Sequence, residues 1–207
     1  MRVFTYYTPL KGKDESAEDG LMKLWKVSWK RFGWTPCILT AEDLPRDCTS
    51  LALLKAFSRH PTVNRRGLDY SCFARWLAVA QQGGGFMCDY DVINYGFHPR
   101  EIGELTVYER HVPCLVSGTA EEFLRMCHLF ANYPPDLKDR VGWRFAVSDM
   151  SILDRNPEIY LRKHDCVEYN RAGWEEAAAV HFSNFSMKPN GFLPRYKHIP
   201  RIRPLLD

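Results

Sequence analysis

Short apolar runs alternate along the chain with apolar residues at helical spacing. In the first half, Gly33 follows one such periodic stretch and is suited to end a helix. The predicted elements are strands at 3–7, 36–39 and 86–88 and helices at 21–32, 51–57 and 70–80. This β-α-β-α-α-β order predicts a parallel core with right-handed crossovers.

The second half continues with further strands and one well-marked helix. Apolar runs at 106–108 and 114–116 predict two strands, and Thr119 to Glu122 resembles a capping box that opens a helix through Phe130. The run 178–183 predicts a late strand that carries His181.

The candidate chemistry begins at Asp89-Tyr90-Asp91, directly after Gly83-Gly84-Gly85 and the buried strand at 86–88. Open α/β sheets bind ligands at the carboxyl ends of their strands. Carboxylates separated by one residue on an extended chain point the same way, so both can face one cation, and Mg²⁺ or Mn²⁺ suits such oxygen ligands. The alternative is a polar turn after a strand.

The helix predicted at 70–80, before the glycines, supports a metal site. Its apolar residues form one face of the helix, and Arg75 lies off that face. Together, Arg75-Trp76-Leu77-Ala78, the glycines and Asp89-Tyr90-Asp91 resemble the "Arg-x-x-Leu, Gly-Gly, Asp-x-Asp" block of nucleotide-sugar-dependent glycosyltransferases with the GT-A fold, especially small retaining ones. The resemblance implies a single α/β domain with a mainly parallel, mixed central sheet flanked by helices.

A second resemblance lies near the end of the chain. His181-Phe182-Ser183 with Lys188-Pro189 is similar to the "His-Phe-x-Gly, Lys-Pro" signature of glycogenin-like transferases, with Asn184 in place of the glycine. It implies that His181 is a metal ligand and that Lys188 meets the donor diphosphate. An imidazole beside two carboxylates favours Mn²⁺ over Ca²⁺. The alternative for His181 is a hydrogen-bonded histidine at a strand end.

Other candidates follow from the GT-A resemblance. It places the end of the first strand beside the nucleotide, so Thr5, Tyr6, Tyr7 and Thr8 become candidates for base and ribose contacts. Alternation along the strand would equally leave one tyrosine in the core and the other facing solvent.

Arg75 and Asp149 each have two interpretations. Arg75 is expected to bind the diphosphate or to form a structural salt bridge with Asp69 or Asp89. Asp149 resembles the catalytic acidic position beside the transferred sugar, and Ser148-Asp149 could instead cap a short helix.

Composition narrows the function classes. The 207 residues, 45% of them apolar, can bury one sizeable core, and a net charge of +3 is too small to indicate nucleic-acid binding. Seven cysteines without a Cys-x-x-Cys pair predict reduced thiols. No signal peptide or run of about 20 apolar residues is present, so we expect a cytoplasmic protein without a transmembrane segment.

The two resemblances together imply a metal-dependent glycosyltransferase with Mn²⁺ or Mg²⁺ as cofactor, a UDP-sugar as donor and a glycan hydroxyl as acceptor. Asp89, Asp91 and His181 would hold the metal, and the family likeness implies retention. We expect a nucleotide-binding half at 1–95, an acceptor half at 96–193 and a basic, proline-rich tail at 194–207, which is solvated and extended from Pro194 to Pro204. The chain could be one domain of a larger multidomain transferase. Two alternative functions stay open: a nucleotide-sugar binding module without catalytic activity and an Asp-x-Asp metal-dependent phosphohydrolase.

Overall fold

A computed structural model describes residues 1–9, 15–61, 66–133, 147–187 and 194–205. Its strands are β1 (Arg2–Tyr6), β2 (Thr35–Leu39), β3 (Gly84–Cys88), β4 (Val92–Asn94), β5 (Thr106–Glu109), β6 (Val112–Thr119), β7 (Leu161–Arg162), β8 (Cys166–Glu168) and β9 (Ala179–His181). Its helices are α1 (Glu15–Arg31), α2 (Cys48–Phe57), α3 (Arg66–Gln81), α4 (Ala120–Asn132), α5 (Asp149–Arg155), α6 (Asn184–Met187) and α7 (Arg195–Ile202).

Six strands form a mixed central sheet in the order β2-β1-β3-β6-β5-β7. β1 pairs in parallel with β2 and β3, as the β-α-β order predicted. β6 then runs antiparallel to both β3 and β5, and the short β7 is parallel to β5. The predicted α/β class with a mixed central sheet and flanking helices is therefore confirmed.

Helices cover both faces of this sheet because side chains alternate along each strand. Val3 packs into a core beneath α1, whereas Phe4 packs into the core under α2, α3, α4 and α5. Thr119 caps α4 by accepting a hydrogen bond from the Glu122 amide, as its sequence predicted. Gly33, with φ of +81°, follows α1 as expected of a residue beyond a helix end.

The turn into β3 requires glycine at position 84. Gly84 has φ of +79°, and a Cβ atom there would lie 2.5 Å from the backbone nitrogen of Ala120. The start of β3 thus runs against the junction of β6 and α4 at a distance that only glycine permits. All five residues of β3 are buried, which confirms the predicted buried strand.

A second sheet of three strands, in the order β4-β9-β8, lies next to the first. β4 follows β3 after a tight turn, and β9 pairs with it antiparallel so that His181 is opposite Val92. The Phe182 amide also donates to the Asp91 carbonyl over 2.9 Å. This pairing places the end of β9 directly beside the Asp-x-Asp turn.

The expectation of a solvated, extended tail from residue 194 is wrong. Residues 195–202 form α7, which packs on α1 and buries Ile199 completely. The Tyr196 ring lies over Gly20, where a Cβ atom would meet the ring at 2.6 Å. Tyr196, Ile199 and Ile202 recur every three residues and form one apolar face of this basic helix, which composition alone does not reveal.

Within the described ranges, no helix combines the length and apolar character that crossing a membrane requires.

Candidate functional site

The turn between β3 and β4 brings both acids of the Asp-x-Asp sequence to one side. The Val92 amide donates to the Asp89 carbonyl over 3.0 Å and closes the turn around Tyr90. One ligand atom from each of Asp89, Asp91 and His181 lies within 4.8 Å of the other two. Two carboxylates and an imidazole thus converge as the sequence predicted, although His181 comes from the other sheet.

His181 is buried and has a carboxylate on each side of its ring. Its Nε2 atom lies 3.6 Å from Oδ1 of Asp91, and its Nδ1 atom lies 3.0 Å from Oε2 of Glu109. Burial by itself would lower the pKa of His181, but interactions with Cys114, Asp91 and Glu109 outweigh it and raise the pKa well above its usual value. In the protein without a metal ion, the imidazole is therefore stabilised as a cation.

Arg75 joins Asp89 to the buried Asp149. Its Nη1 atom contacts Asp89, and its Nη2 atom donates to Oδ2 of Asp149 over 2.8 Å. Burial would lower the pKa of this guanidinium, but the two carboxylates raise it, so Arg75 stays charged. The predicted structural salt bridge between Arg75 and Asp89 is confirmed; contact with a diphosphate stays a prediction.

Asp149 is the first residue of α5 and is almost fully enclosed. Ser148 caps this helix by accepting from the Ser151 amide, so the capping interpretation of this segment is confirmed for Ser148. The Asp149 carboxylate accepts from Arg75 and, over 3.1 Å, from Nε1 of Trp76. These contacts make it an anchor for Arg75, and its predicted contact with the transferred sugar stays a prediction.

Arg195 also belongs to the site, although no sequence motif indicates it. Its Nη1 atom, at the start of α7, lies 2.5 Å from Oδ2 of Asp91 and donates to the Phe182 carbonyl over 2.9 Å. Burial raises the pKa of Asp91, but His181 and Arg195 outweigh burial and lower it. Basic residues near the chain end were the only signal for this contact, and they were interpreted as solvated.

The end of β1 lies near this turn. The Tyr7 and Tyr90 rings meet edge to face with centroids 6.1 Å apart, and the Tyr90 hydroxyl donates to Glu18 of α1. Tyr6 and Tyr7 are partly exposed, whereas Thr5 is 1% exposed. Nucleotide contacts by these residues stay predictions. The predicted Lys188 lies outside the described residues.

Next to His181 lies a second group of polar side chains, which no sequence motif indicates. Oε2 of Glu109 accepts from the Cys114 thiol over 2.9 Å and lies 3.9 Å from Sγ of Cys166, and the two sulfur atoms are 3.8 Å apart. One ligand atom from each of Glu109, Cys114 and His181 lies within 4.8 Å of the other two, so these residues could also hold one ion. Their residues come from β5, β6, β8 and β9, so no local spacing could reveal the group.

A cleft of about 810 Å³ opens beside this group. Glu109 and His181 lie on its wall, and the strongly exposed Phe185, at 73%, and Met150, at 44%, contribute apolar surface. Arg110, exposed and with φ of +46° in the turn between β5 and β6, adds positive charge. The cleft is thus lined by apolar and positively charged side chains and extends to His181, one of the three candidate metal ligands.

The arrangement can bind one divalent cation and counter the charge of an anion next to it, since two carboxylates, an imidazole and two guanidinium groups are close together. No protein-family model matches the chain, and no curated protein matches it as a relative.

Proposed function

We propose that the protein is a metal-dependent glycosyltransferase of the GT-A type, which moves a sugar from a UDP-sugar to a hydroxyl of a glycan. The observation that carries the proposal is the convergence of Asp89, Asp91 and His181, whose ligand atoms lie within 4.8 Å of one another. The convergence occurs at the carboxyl end of β3, the position where α/β sheets bind their ligands.

The donor set suits Mn²⁺ or Mg²⁺. Carboxylate oxygens are ligands for both ions, and the single imidazole shifts the preference toward Mn²⁺. Nε2 of His181 and Oδ1 of Asp91 are 3.6 Å apart, which is longer than a hydrogen bond. Two ligand atoms that each lie about 2.1 Å from one ion are about 3–4 Å apart, so this spacing suits a shared ion. When bound, such an ion supplies Lewis-acid stabilisation to a diphosphate leaving group.

The surrounding residues of the chain orient the two acids. Asp149 holds Arg75 on one side, and Arg75 holds Asp89 in the turn. Asp89 is thereby fixed toward the ion or the ribose, while Asp91 and His181 are the principal ligands. Fixing these groups before binding removes reorganisation from the reaction itself.

Arg195 gives the site a cation of its own. In the absence of an ion it neutralises Asp91, from 2.5 Å away. An ion on Asp91 would compete with Arg195 for the charge of the same carboxylate and leave the guanidinium available for an oxygen of the donor diphosphate. Arg195 and Lys188 would then stabilise the charge that develops as UDP leaves, which lowers the barrier to transfer.

The cleft of about 810 Å³ is the proposed acceptor space. It reaches His181, so an acceptor hydroxyl within it lies next to the proposed donor site. Exposed Phe185 offers an aromatic face, and a sugar ring can pack its C–H groups against such a face while its hydroxyls face Arg110 and Ser183.

Calorimetric titration of UDP in Mn²⁺ and in EDTA tests the proposal, with Asp91→Asn as the site variant and the exposed Asp19→Asn as the matched control. We expect Mn²⁺-dependent binding in the parent and the control that weakens at least tenfold in Asp91→Asn, about 1.4 kcal/mol. Donor hydrolysis or transfer should follow the same pattern. A folded parent that binds no UDP, GDP or dTDP in either condition would overturn the proposal.

One observation favours a second function, a nucleotide-sugar binding module without transferase activity. Both acids of the Asp-x-Asp turn already carry an arginine partner, Arg75 on Asp89 and Arg195 on Asp91. UDP binding with neither hydrolysis nor transfer of any donor would support this module. Phosphate release that depends on Asp89, with a trapped aspartyl-phosphate, would instead support the phosphohydrolase.

A further inference from the structure

Glu109 is a buried carboxylate that lies next to His181 but outside the Asp-x-Asp turn. It is the last residue of β5 and only 7% exposed. The pairing of β5 with β6 shifts register between Val107 and Glu109, and a two-residue turn with Arg110 at φ of +46° follows. Such irregularities redirect side chains at sheet ends, and here the redirected carboxylate points at the ring of His181.

One carboxylate oxygen of Glu109 contacts both Cys114 and His181. Oε2 accepts from the Cys114 thiol over 2.9 Å and lies 3.0 Å from Nδ1 of His181. The ligand atoms of Cys114, Glu109 and His181 all lie within 4.8 Å of one another. A buried carboxylate with such donors is the strongest local acceptor for the Nδ1 proton.

The two nitrogens of His181 therefore have different surroundings. Nδ1 faces Glu109 at hydrogen-bond distance, whereas Nε2 faces Asp91 over 3.6 Å, beyond that distance. A neutral imidazole that keeps its proton on Nδ1 presents the lone pair of Nε2 toward Asp91. Histidines that bind metals commonly donate their other ring N–H to a carboxylate, which fixes the ring and makes it a better ligand.

We propose that Glu109 is the positioning residue of the metal centre: it holds the Nδ1 proton of His181 and so directs Nε2 toward the ion bound by Asp91. The inference rests on the proposed function for the ion, whereas the hydrogen bond is a property of the chain alone. Cys114 donates to the same oxygen of Glu109 and so supports its position.

The first test compares Mn²⁺ affinity, measured by electron paramagnetic resonance of free Mn²⁺, in Glu109→Gln and Glu109→Ala. Glu168→Gln is the matched control, because Glu168 lines the same cleft but bonds to Ser183 and Arg171. We expect Glu109→Ala to weaken Mn²⁺ binding about 10- to 100-fold. Glu109→Gln should weaken it less, because its amide oxygen still accepts a hydrogen bond from Nδ1 of His181. The control should bind Mn²⁺ as the parent does.

A double-mutant cycle separates positioning from a merely structural role. In a His181→Ala background, Glu109→Gln should weaken Mn²⁺ binding no further, because its effect acts through the imidazole. Equal effects of Glu109→Gln with and without His181, or parent-like affinity in both Glu109 variants, would overturn the inference. Glu109→Gln preserves the side-chain shape and keeps the test usable if Glu109→Ala does not fold.

Nuclear magnetic resonance of ¹⁵N-histidine in metal-free protein gives a readout that needs no ion. We expect a slowly exchanging, downfield proton on Nδ1 of His181 that is retained in Glu168→Gln and lost in Glu109→Ala. Its absence from the parent would overturn the inference. If this proton is present but the parent binds neither Mn²⁺ nor UDP, the proposed function fails and the hydrogen bond between Glu109 and His181 stands.

The thiols provide one more contrary outcome. If Co²⁺ binds the parent with intense thiolate absorption bands that disappear in Cys114→Ser, then Glu109, Cys114 and His181 form a metal site themselves, and the positioning role is wrong. Co²⁺ binding without such bands, sensitive to Asp91→Asn, is the expected result.

Discussion

Arg195 lies 2.5 Å from Asp91 although 104 residues separate them in the sequence. The contact brings α7 onto the Asp-x-Asp turn and occupies the oxygen, Oδ2, that an ion could also use. Metal-free and metal-bound forms of the site therefore differ in which cation neutralises Asp91. The charge balance of the site thus depends on the last described helix.

Substituting Arg195→Gln should raise the affinity for Mn²⁺ alone. The guanidinium no longer competes for Asp91, and losing one charge-assisted hydrogen bond of about 1.5 kcal/mol corresponds to roughly tenfold tighter binding. The same variant should lose about 1–3 kcal/mol of unfolding free energy in EDTA, because Asp91 keeps a partly buried charge. Mn²⁺ titration and urea unfolding measure the two effects.

Arg201→Gln is the control for this prediction, since Arg201 is exposed on the same helix. It should leave both quantities unchanged. Weaker Mn²⁺ binding in Arg195→Gln than in the parent would show that Arg195 supports the ion and does not compete with it.

Gly20→Ala should disturb the site from a distance. A Cβ atom at Gly20 would meet the Tyr196 ring at 2.6 Å, so α7 must shift away from α1 and withdraw Arg195 from Asp91. Alanine favours an isolated helix over glycine by about 1 kcal/mol, so a net loss of stability would come from the lost packing. We expect lower stability in EDTA and tighter Mn²⁺ binding, as for Arg195→Gln.

Gly103→Ala serves as the control for Gly20→Ala, because nothing lies within 4 Å of the added Cβ atom. Parent-like stability and Mn²⁺ affinity in both variants would mean that Tyr196 does not hold α7 in place.

Gly84→Ala and Gly83→Ala separate backbone strain from steric collision. Both glycines have positive φ, +79° and +90°, but only at Gly84 does a Cβ atom meet backbone, at 2.5 Å. Gly83→Ala should cost about 1–2 kcal/mol from the left-handed backbone alone. Gly84→Ala should cost about 1–3 kcal/mol more, because β6 and α4 must move. Equal losses in urea unfolding would show that the close approach can relax freely.

His60 should make stability depend on pH. Burial lowers the pKa of His60 despite its contact with the Phe130 carbonyl over 2.7 Å, so the unfolded chain takes up a proton more readily. Stability is thus greatest above the unfolded pKa of about 6.5 and falls as pH drops from there toward the lower folded pKa. Urea unfolding at pH 7.5 and below 6.5 should show a smaller pH-dependent loss in His60→Gln than in the parent; an unchanged loss would contradict the prediction.

Local patterns predicted most of the fold. The apolar spacing along α3 and the glycines before β3 predicted a helix, a turn and a buried strand, and the structure has them in that order. The order of the first elements also predicted the parallel pairing of β1 with β2 and β3. These features depend on side-chain periodicity and glycine geometry within a few residues, which a sequence displays directly.

The site was predictable only where its residues lie near a strand end. Asp89 and Asp91 follow β3, and His181 ends β9, so the strand pattern located them and the resemblance to transferase signatures marked them as candidate ligands. No local pattern indicates the partners of Asp91 and His181: the composition around Arg195 predicts a solvated tail, and nothing in the sequence around Glu109 marks it as part of the site.

By itself, then, the sequence determined the α/β class, the buried strand and the three residues that could bind a metal. The tertiary structure alone decided which further charges meet them: Asp149 at Arg75, Arg195 at Asp91, and Glu109 at His181. The physical reason is that strand and helix formation depends on neighbours within a few residues. Contacts across 72 to 104 residues depend instead on how whole elements pack, and no local spacing records that packing.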